Sequence, residues 1–231
     1  MSREKVSVSV DVWGDFACFT QSDAKVERVS YPVPTPSACR GILEAIYVKP
    51  VEFRYQITGI DVFNPIRTIS IKKNEVTRKA APGKKGRPVE AIIVEENRTQ
   101  RNTVYLKDVS YRIYADMLIR PDAGERVNPQ KIAKEFNNRV NKGKCFYQPC
   151  LGNRECMCFF APADESRSPI PESRDLGIML YDIFDLNSTE PLNTGEETGS
   201  VNVTYYHPFM INGHISVPVY GSPEVFSTKG V

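Results

Sequence analysis

Alternating hydrophobic and polar positions predict most of the strands of this chain. Residues 6–12 place a valine at every second position, with Ser7, Ser9 and Asp11 between them, which is typical of a half-buried strand. The alternation returns over residues 51–62, where its parity shifts across Gly59 and predicts a β-bulge. It returns again over residues 109–119, where every odd position is apolar. A shorter strand is expected over 154–160, and residues 14–34, which lack a sustained period, are expected to form a loop.

A helical period separates the first two strands. Thr35 can cap the helix and Pro36 suits its first position. One apolar stripe follows at 3.6-residue spacing, formed by Cys39, Ile42, Leu43 and Ile46. Arg40 lies off this stripe and is expected to point away from it. Pro50 prevents continuation, so the helix should end near Tyr47.

A second helix repeats this arrangement. Asn128 and Pro129 occupy the cap and first positions, and Gly143 supplies a stop. Its buried stripe is expected to consist of Ile132, Phe136 and Val140. The resulting order, β-α-β-β-α-β, predicts an α+β fold with a ferredoxin-like, split βαβ core.

Two further segments complete the expected architecture. Residues 65–103 should form a basic β-hairpin arm on the first domain, which we expect to span residues 1–162. The basic residues of this arm that could bind a polyanionic partner are Lys72, Lys73, Lys84, Lys85 and Arg87. Residues 163–231 should form a small acidic β appendage, in which Asn212-Gly213 suits a type I′ hairpin turn.

Charge is distributed unevenly along the 231 residues, although the net charge is only +2. Residues 64–144 contain 19 lysines and arginines against 9 acids, whereas residues 162–231 contain 3 against 10. The basic part favours a polyanionic partner, with a merely solvated basic face as the alternative. The acidic end, including Asp182 and Asp185, is expected to face protein partners rather than RNA.

Several functional classes fit the sequence poorly. No apolar run reaches the ~18 residues of a membrane helix. The first apolar segment alternates, which is unlike a signal peptide, so the six cysteines are expected to be reduced thiols in a cytoplasm. The four cysteines between residues 145 and 158 lack the paired spacing of structural zinc ligands. We therefore expect neither a metal nor a cofactor.

The segment 141–155, NKGKCFYQPCLGNRE, has the composition of an RNA-binding loop. Cations and exposed backbone N–H groups bind phosphates, while aromatic rings stack on unpaired bases. The expected RNA-binding residues are Lys142, Gly143, Lys144, Phe146, Tyr147 and Arg154. The alternative is a plain helix-to-strand connection that uses glycine for its turn.

Tyr47 and Lys131 are the candidate reactive side chains. Lys131 lies in the first turn of the second helix, where a cation opposes the helix dipole but could join free N–H groups in clamping a phosphate. Tyr47 ends the first helix. To act as a base it would need a nearby cation such as Lys131 to lower its pKa, and it could instead orient a substrate hydroxyl or donate a proton. A packed tyrosine and a solvated lysine are the simpler interpretations.

Long motifs along the chain resemble one known family. They are VWGDFACFT, KVERVSYPVPTPSACRGILEAIYVKP, YLKDVSYRI, NPQKIAKEFNNRVNKGKCFYQPCLGNRE and RDLGIMLYDI. Together they are similar to the fifth Cas family of CRISPR-associated proteins in its subtype I-C version. The resemblance implies an endoribonuclease that cuts CRISPR precursor RNA, with the catalytic tyrosine and lysine at Tyr47 and Lys131. Some relatives carry a histidine where this chain has Ile132, and others carry one at the position of Tyr147.

The resemblance further implies a metal-independent reaction in which the 2′-hydroxyl of the RNA attacks the adjacent phosphate. It implies that the protein keeps the processed RNA and joins a surveillance complex with the repeating backbone subunit and the large subunit. DNA contact within that complex stays open. Two alternatives are a non-catalytic subunit that only caps the 5′ end of the guide RNA, and an unrelated RNA-binding module with a ferredoxin-like core.

Overall fold

The computed structural model describes residues 4–24, 26–78, 92–123, 127–187 and 201–227. Their architecture is α+β and largely antiparallel. The helices are α1 (Pro36–Ile46), α2 (Val94–Asn97) and α3 (Pro129–Asn141), with a 3₁₀ turn at Pro121–Ala123. The first strands are β1 (Lys5–Ala17), β2 (Arg28–Val29), β3 (Phe53–Val62), β4 (Thr68–Val76), β5 (Arg98–Ile119) and β6 (Phe159–Ala161). The later strands are β7 (Arg174–Asp175), β8 (Met179–Phe184), β9 (Val201–Tyr206), β10 (Phe209–Ile211), β11 (His214–Ser216) and β12 (Phe226–Ser227).

The 22-residue strand β5 is the centre of the main sheet. Its C-terminal half lies between β1 and β3, both antiparallel to it, and its N-terminal half pairs with β4 and β2. The order along the main path is β6-β1-β5-β3-β11-β10-β7. The expected bulge in β3 is confirmed, because the register with β5 shifts between Ile57 and Gly59.

Both main helices begin and end where their capping residues predict. Thr35 accepts a hydrogen bond from the Ala38 N–H at 3.2 Å, and α1 stops one residue before Tyr47. Gly143 follows α3 with a φ of +61°, a left-handed conformation that suits glycine. The predicted apolar stripes of both helices are buried against the sheet.

Two boundaries differ from the sequence expectation. β1 continues through Ala17 and β2 forms at Arg28–Val29, so the segment 14–34 is not simply a loop. Instead of a strand over 154–160, only Phe159–Ala161 pairs with β1. The preceding residues form a tight turn in which the Leu151 N–H donates to the Cys156 carbonyl at 2.8 Å. Because of this turn, the residues before Phe159 do not form the extended strand that the apolar pattern indicated.

Arg40 and Asp182 correct two other expectations. Arg40 is 5% exposed and Asp182 is 1% exposed, so neither lies on the surface. Arg40 Nε and Nη2 donate to the two Asp182 carboxylate oxygens at 2.9 and 3.0 Å, and its Nη1 donates to Glu44 at 2.8 Å. The buried ion pair joins α1 to β8, so Asp182 is part of the interior rather than of an acidic docking surface.

The residues after 163 contribute to two sheets. β8, β9 and β12 form a separate three-stranded sheet, whereas β11 extends the main sheet by pairing with β3. Described residues on both sides of position 162 share one hydrophobic core, and the division into two domains stays a prediction. The β10–β11 turn has positive φ at both Asn212 and Gly213, as a type I′ turn requires.

Among the described residues, none of the helices has the length and apolar character needed to cross a bilayer. The six cysteines are all unpaired, and Cys18, Cys39, Cys156 and Cys158 are buried.

Candidate functional site

A cleft of about 570 Å³ lies beside the C-terminal end of α1 and the N-terminal half of α3. Tyr47 and Lys131 both line it, so the two candidate reactive residues come together at one site. The other ionisable residues that line the cleft are Lys49, Glu52 and Glu135.

Tyr47 is held firmly at the wall of this cleft. Its N–H donates to the Leu43 carbonyl at 2.9 Å, and its own carbonyl accepts from the Tyr55 hydroxyl at 2.7 Å. Its ring stacks on Phe53 with a centroid separation of 5.6 Å, and the Arg139 guanidinium lies 5.9 Å from the ring centroid. Because the residue is only 4% exposed, its ring is fixed by packing.

The phenol of Tyr47 is protonated at neutral pH. Burial raises its pKa above the ordinary value near 10 of a tyrosine, and Glu52 and Glu135 contribute in the same direction. Lys49 opposes the shift, both by its charge and by a hydrogen bond. Tyr47 could act as a base only if a nearby cation lowered its pKa, and this condition is not met because desolvation is the larger effect. A protonated phenol suits hydrogen-bond or proton donation better than proton abstraction.

Lys131 lines the cleft, but the backbone N–H groups of its helical turn are not free to bind a phosphate. Asn128 Oδ1 accepts from the N–H groups of Gln130 and Lys131 at 2.9 and 3.2 Å. The Ile132 N–H donates to the Asn128 carbonyl at 3.2 Å. These donors of the first turn are occupied, so phosphate binding here would rest on the lysine ammonium.

The position after Lys131 supplies no ionisable group, since Ile132 is 4% exposed and packs into the core. One turn later, Glu135 presents a carboxylate to the cleft. On the opposite side, Lys49 Nζ donates to Glu52 Oε1 at 2.8 Å. Sequence reasoning missed Lys49, Glu52 and Glu135. Their positions in the sequence could have indicated that they lie near the cleft. Lys49 and Glu52 come directly after the end of α1, and Glu135 is four residues from Lys131 on the same helix, which places both on one helix face.

The loop after α3 is fastened to the end of α1. The Phe146 N–H donates to the Ala45 carbonyl at 2.8 Å, and Arg139 Nε donates to the Ile46 carbonyl at 2.7 Å. The Arg139 guanidinium lies 4.2 Å from the Phe146 ring centroid as well as near Tyr47. Arg139 thus connects the cleft to the loop.

The predicted RNA-binding residues of this loop are exposed. Phe146 and Tyr147 are 56% and 59% exposed, so their rings are accessible to a partner. The exposed cations of the same segment are Lys142, Lys144 and Arg154. Glycine is needed at position 152 for a structural reason, because a Cβ there would collide with the Cys18 carbonyl oxygen.

The basic arm is described only in part. Lys72 is exposed on β4, whereas Lys73 lies over the Tyr105 ring and pairs with Glu155 at 2.5 Å. Lys73 and the Tyr105 hydroxyl hold the pKa of Glu155 below its ordinary value. Lys73 therefore joins the arm to the turn before β6. Lys84, Lys85 and Arg87 lie outside the described residues.

Metal-ligating side chains do not gather into a group of three or more within the part of the chain that the structure describes.

Two solved structures share this fold. One, titled as the crystal structure of a CRISPR-associated protein, superposes with a TM-score of 0.67 at 23% identity, covering 98% of this chain and 100% of that one. Another, a functionally uncharacterized protein from Streptococcus mutans, gives 0.64 at 22% identity, covering 94% and 95%. At these identities the likeness concerns the fold.

Sequence comparisons define the family. A family model described as CRISPR-associated protein (Cas_Cas5) matches residues 7–218. A Thermus thermophilus protein named CRISPR pre-crRNA endoribonuclease Cas5d is 37% identical over 227 residues, which is 95% of this chain and 94% of that protein. A Mannheimia succiniciproducens protein of the same name is 38% identical over 233 residues, covering 94% and 97%. The chain belongs to the Cas5d family of CRISPR-associated proteins, which confirms the resemblance seen in its motifs.

Proposed function

We propose that this chain is a metal-independent endoribonuclease that cuts CRISPR precursor RNA within its repeats. The observation that carries the proposal is the common cleft of Tyr47 and Lys131, two residues 84 positions apart in sequence. Relatives that match it over nearly their whole length at 37% and 38% identity are named as pre-crRNA endoribonucleases, which supports the same activity here.

We assign the core to the ferredoxin-like class. The order β6-β1-β5-β3 and the antiparallel pairing of these neighbours support this assignment. The helices α1 and α3 then follow the first and third strands of a β-α-β-β-α-β unit.

In the proposed reaction the RNA supplies its own nucleophile. The 2′-oxygen forms a bond to the adjacent phosphorus while the bond from phosphorus to the 5′-oxygen breaks. The products are a 2′,3′-cyclic phosphate and a 5′-hydroxyl. The 2′-hydroxyl proton passes to a carboxylate, for which Glu135 is our assigned acceptor in the cleft. Lys131 stabilises the charge of the phosphorane, and the protonated Tyr47 donates to the leaving 5′-oxygen.

RNA contact extends from the cleft along the loop after α3. The exposed rings of Phe146 and Tyr147 would stack on unpaired bases, and the neighbouring cations would bind phosphates. The arm would add affinity without reactive groups. After cleavage, the protein would stay on the 5′ end of the processed RNA as a subunit of the type I-C surveillance complex.

Cleavage of the cognate repeat RNA in EDTA tests the proposal. The wild-type protein should cut the repeat at one position and leave a 2′,3′-cyclic phosphate. A repeat RNA with a single 2′-deoxy substitution at that position should bind equally well and resist cleavage. Binding without cleavage of the all-ribose repeat would overturn the enzymatic assignment and favour a subunit that only caps the 5′ end.

A further inference from the structure

Arg139 of α3 contacts both the end of α1 and the loop that follows α3. Its Nε donates to the Ile46 carbonyl at 2.7 Å. Its guanidinium carbon lies 4.2 Å from the centroid of the Phe146 ring and 5.9 Å from that of the Tyr47 ring. Both distances are within the range of ~6 Å at which a cation attracts an aromatic ring. One guanidinium therefore serves the exposed ring of the loop and the reactive tyrosine of the cleft.

The backbone on both sides of Tyr47 is held by side chains from outside α1. The last carbonyls of a helix have no partner within the helix, so their place depends on other groups. Arg139 supplies the donor for the Ile46 carbonyl, which belongs to the peptide unit just before Tyr47. The Tyr55 hydroxyl donates to the Tyr47 carbonyl, in the following peptide unit, at 2.7 Å. Arg139 is thus one of two side chains that fix the backbone of Tyr47.

Arg139 also continues a polar stripe along α3. Lys131, Glu135 and Arg139 follow one another at intervals of four residues, which places them on one face of the helix. The first two line the cleft, and Arg139 lies where the loop begins. The stripe is about 12 Å long, and at roughly 3.4 Å per nucleotide this corresponds to about four nucleotides of one strand. An RNA strand that leaves the cleft along this face soon meets the loop.

Phe146 is the loop residue that Arg139 supports. Its backbone N–H donates to the Ala45 carbonyl at 2.8 Å, so the start of the side chain is anchored to α1. Its ring is 56% exposed, although the guanidinium of Arg139 lies against it. An anchored aromatic ring with an open surface is suited to stack on an unpaired base.

We propose that Arg139 is a positioning residue that couples the stacking of a nucleobase on Phe146 to the placement of Tyr47 at the scissile phosphate, an inference that rests on the proposed RNA cleavage. The stacked base lies within about four nucleotides of the cut. A base on Phe146 orders the guanidinium beneath the ring, and the ordered guanidinium holds the Ile46 carbonyl and with it Tyr47. The coupling is consequential because a displacement of about 1 Å at a reacting group can slow a reaction by about 10²-fold.

Single-turnover cleavage at saturating protein concentration separates positioning from binding. Arg139→Met keeps the length of the side chain but loses the Nε donor and the charge, and it should slow cleavage by about 10–100-fold. Arg139→Lys should not restore the rate, because lysine keeps the charge without the planar guanidinium that lies against the rings. A wild-type rate for Arg139→Lys would mean that charge alone matters and would overturn the positioning role.

Arg167→Met is the matched control. Arg167 likewise lies 4.1 Å from the centroid of an aromatic ring, that of Phe63, and its Nη2 donates to Ser110 Oγ at 2.9 Å. It does not line the cleft, so its replacement should leave the cleavage rate unchanged. An equal loss of rate in Arg167→Met and Arg139→Met would overturn a specific role for Arg139.

Repeat RNAs with single abasic residues supply a readout that a merely structural role would not move. With the wild-type protein, an abasic residue at one position within about four nucleotides of the cut should slow cleavage by about tenfold or more. Arg139→Met and Phe146→Leu should be slow with intact RNA and lose less than about twofold more with that abasic RNA, because the coupling is already broken. An undiminished abasic effect in both variants would overturn the coupling. Should Arg139→Met fail to fold, Phe146→Leu, which alters an exposed ring, decides the outcome.

Two results separate the role of Arg139 from the proposed function. If the wild-type protein cuts repeat RNA and Arg139→Met cuts it equally fast, the role of Arg139 is overturned and the proposed function stands. If the wild-type protein binds repeat RNA without cutting it, the proposed function is overturned, and with it the coupling to catalysis.

Discussion

The buried pair of Arg40 and Asp182 should determine much of the stability of this fold. Asp182→Asn keeps the shape of the side chain but leaves the Arg40 charge with Glu44 as its remaining carboxylate partner. The two side chains of the pair are 6% and 2% exposed, so solvent screens their interaction weakly. Removing one partner of such a pair costs about 3–5 kcal/mol, out of a total stability of roughly 5–15 kcal/mol. For a chain of this size the midpoint of thermal unfolding should fall by about 6–20 °C.

Urea unfolding followed by circular dichroism measures this loss. Asp108→Asn is the matched control, because Asp108 pairs with Arg67 at 3.2 Å with 44% and 59% of the two side chains exposed. That change should cost about 0–1 kcal/mol. Combining Arg40→Met with Asp182→Leu should recover much of the stability, since no buried charge of the pair is left behind. A loss for Asp182→Asn no larger than that for Asp108→Asn would refute the reasoning.

Other predictions address the loop, the arm, the acidic surface and the pH dependence. Gly152→Ala should destabilise the protein by more than about 3 kcal/mol in thermal unfolding, because its Cβ would meet the Cys18 carbonyl, whereas Gly143→Ala should cost about 1–2 kcal/mol through its positive φ alone. A triple alanine variant of the arm should flatten the plot of log affinity against log salt by about 0.7 per lost phosphate contact, and an unchanged slope and affinity would remove the arm from the RNA path. Its three replaced residues are Lys84, Lys85 and Arg87. Charge reversal of the exposed Glu165 and Glu224 should weaken co-purification with partner subunits, and a loss of cleavage instead would contradict the assignment of this surface. Because the pKa of Tyr47 is raised, deprotonation of the phenol should not slow cleavage until the pH exceeds about 10. If the cleavage rate instead fell with rising pH near neutrality, and Tyr47→Phe removed that fall, the phenol would ionise there and the prediction would be wrong.

Local chemistry was enough to predict the elements that frame the cleft. The caps Thr35 and Asn128, each followed by proline, set the starts of α1 and α3. The alternation of apolar and polar residues predicted the strands, and the shift of that alternation at Gly59 predicted the bulge. Both could be predicted because these features depend on neighbouring residues alone. The common cleft of Tyr47 and Lys131 followed once the helices were assigned to one face of a sheet.

Features that depend on distant partners were missed. Arg40 has the composition of a solvated helix position, and its burial depends on Asp182, 142 residues away. The strand expected over 154–160 was replaced by a turn that is closed by the hydrogen bond from the Leu151 N–H to the Cys156 carbonyl, and the alternation of residue types does not indicate this turn. The charges around Tyr47 depend on the three-dimensional arrangement of α1, β3 and α3, so the sequence could not decide whether this residue is a base or a proton donor.

The central claim is that Tyr47 and Lys131 act together on one RNA phosphate. The most direct test is single-turnover cleavage of the repeat RNA in EDTA by wild type, Tyr47→Phe and Lys131→Ala. Lys134→Ala serves as the control, because Lys134 is an exposed lysine of the same helix that does not line the cleft. Each cleft variant should cleave about 10²-fold or more slowly, Tyr47→Phe should bind RNA nearly as well as wild type, and Lys134→Ala should cleave normally. Wild-type cleavage rates for both cleft variants would contradict the account.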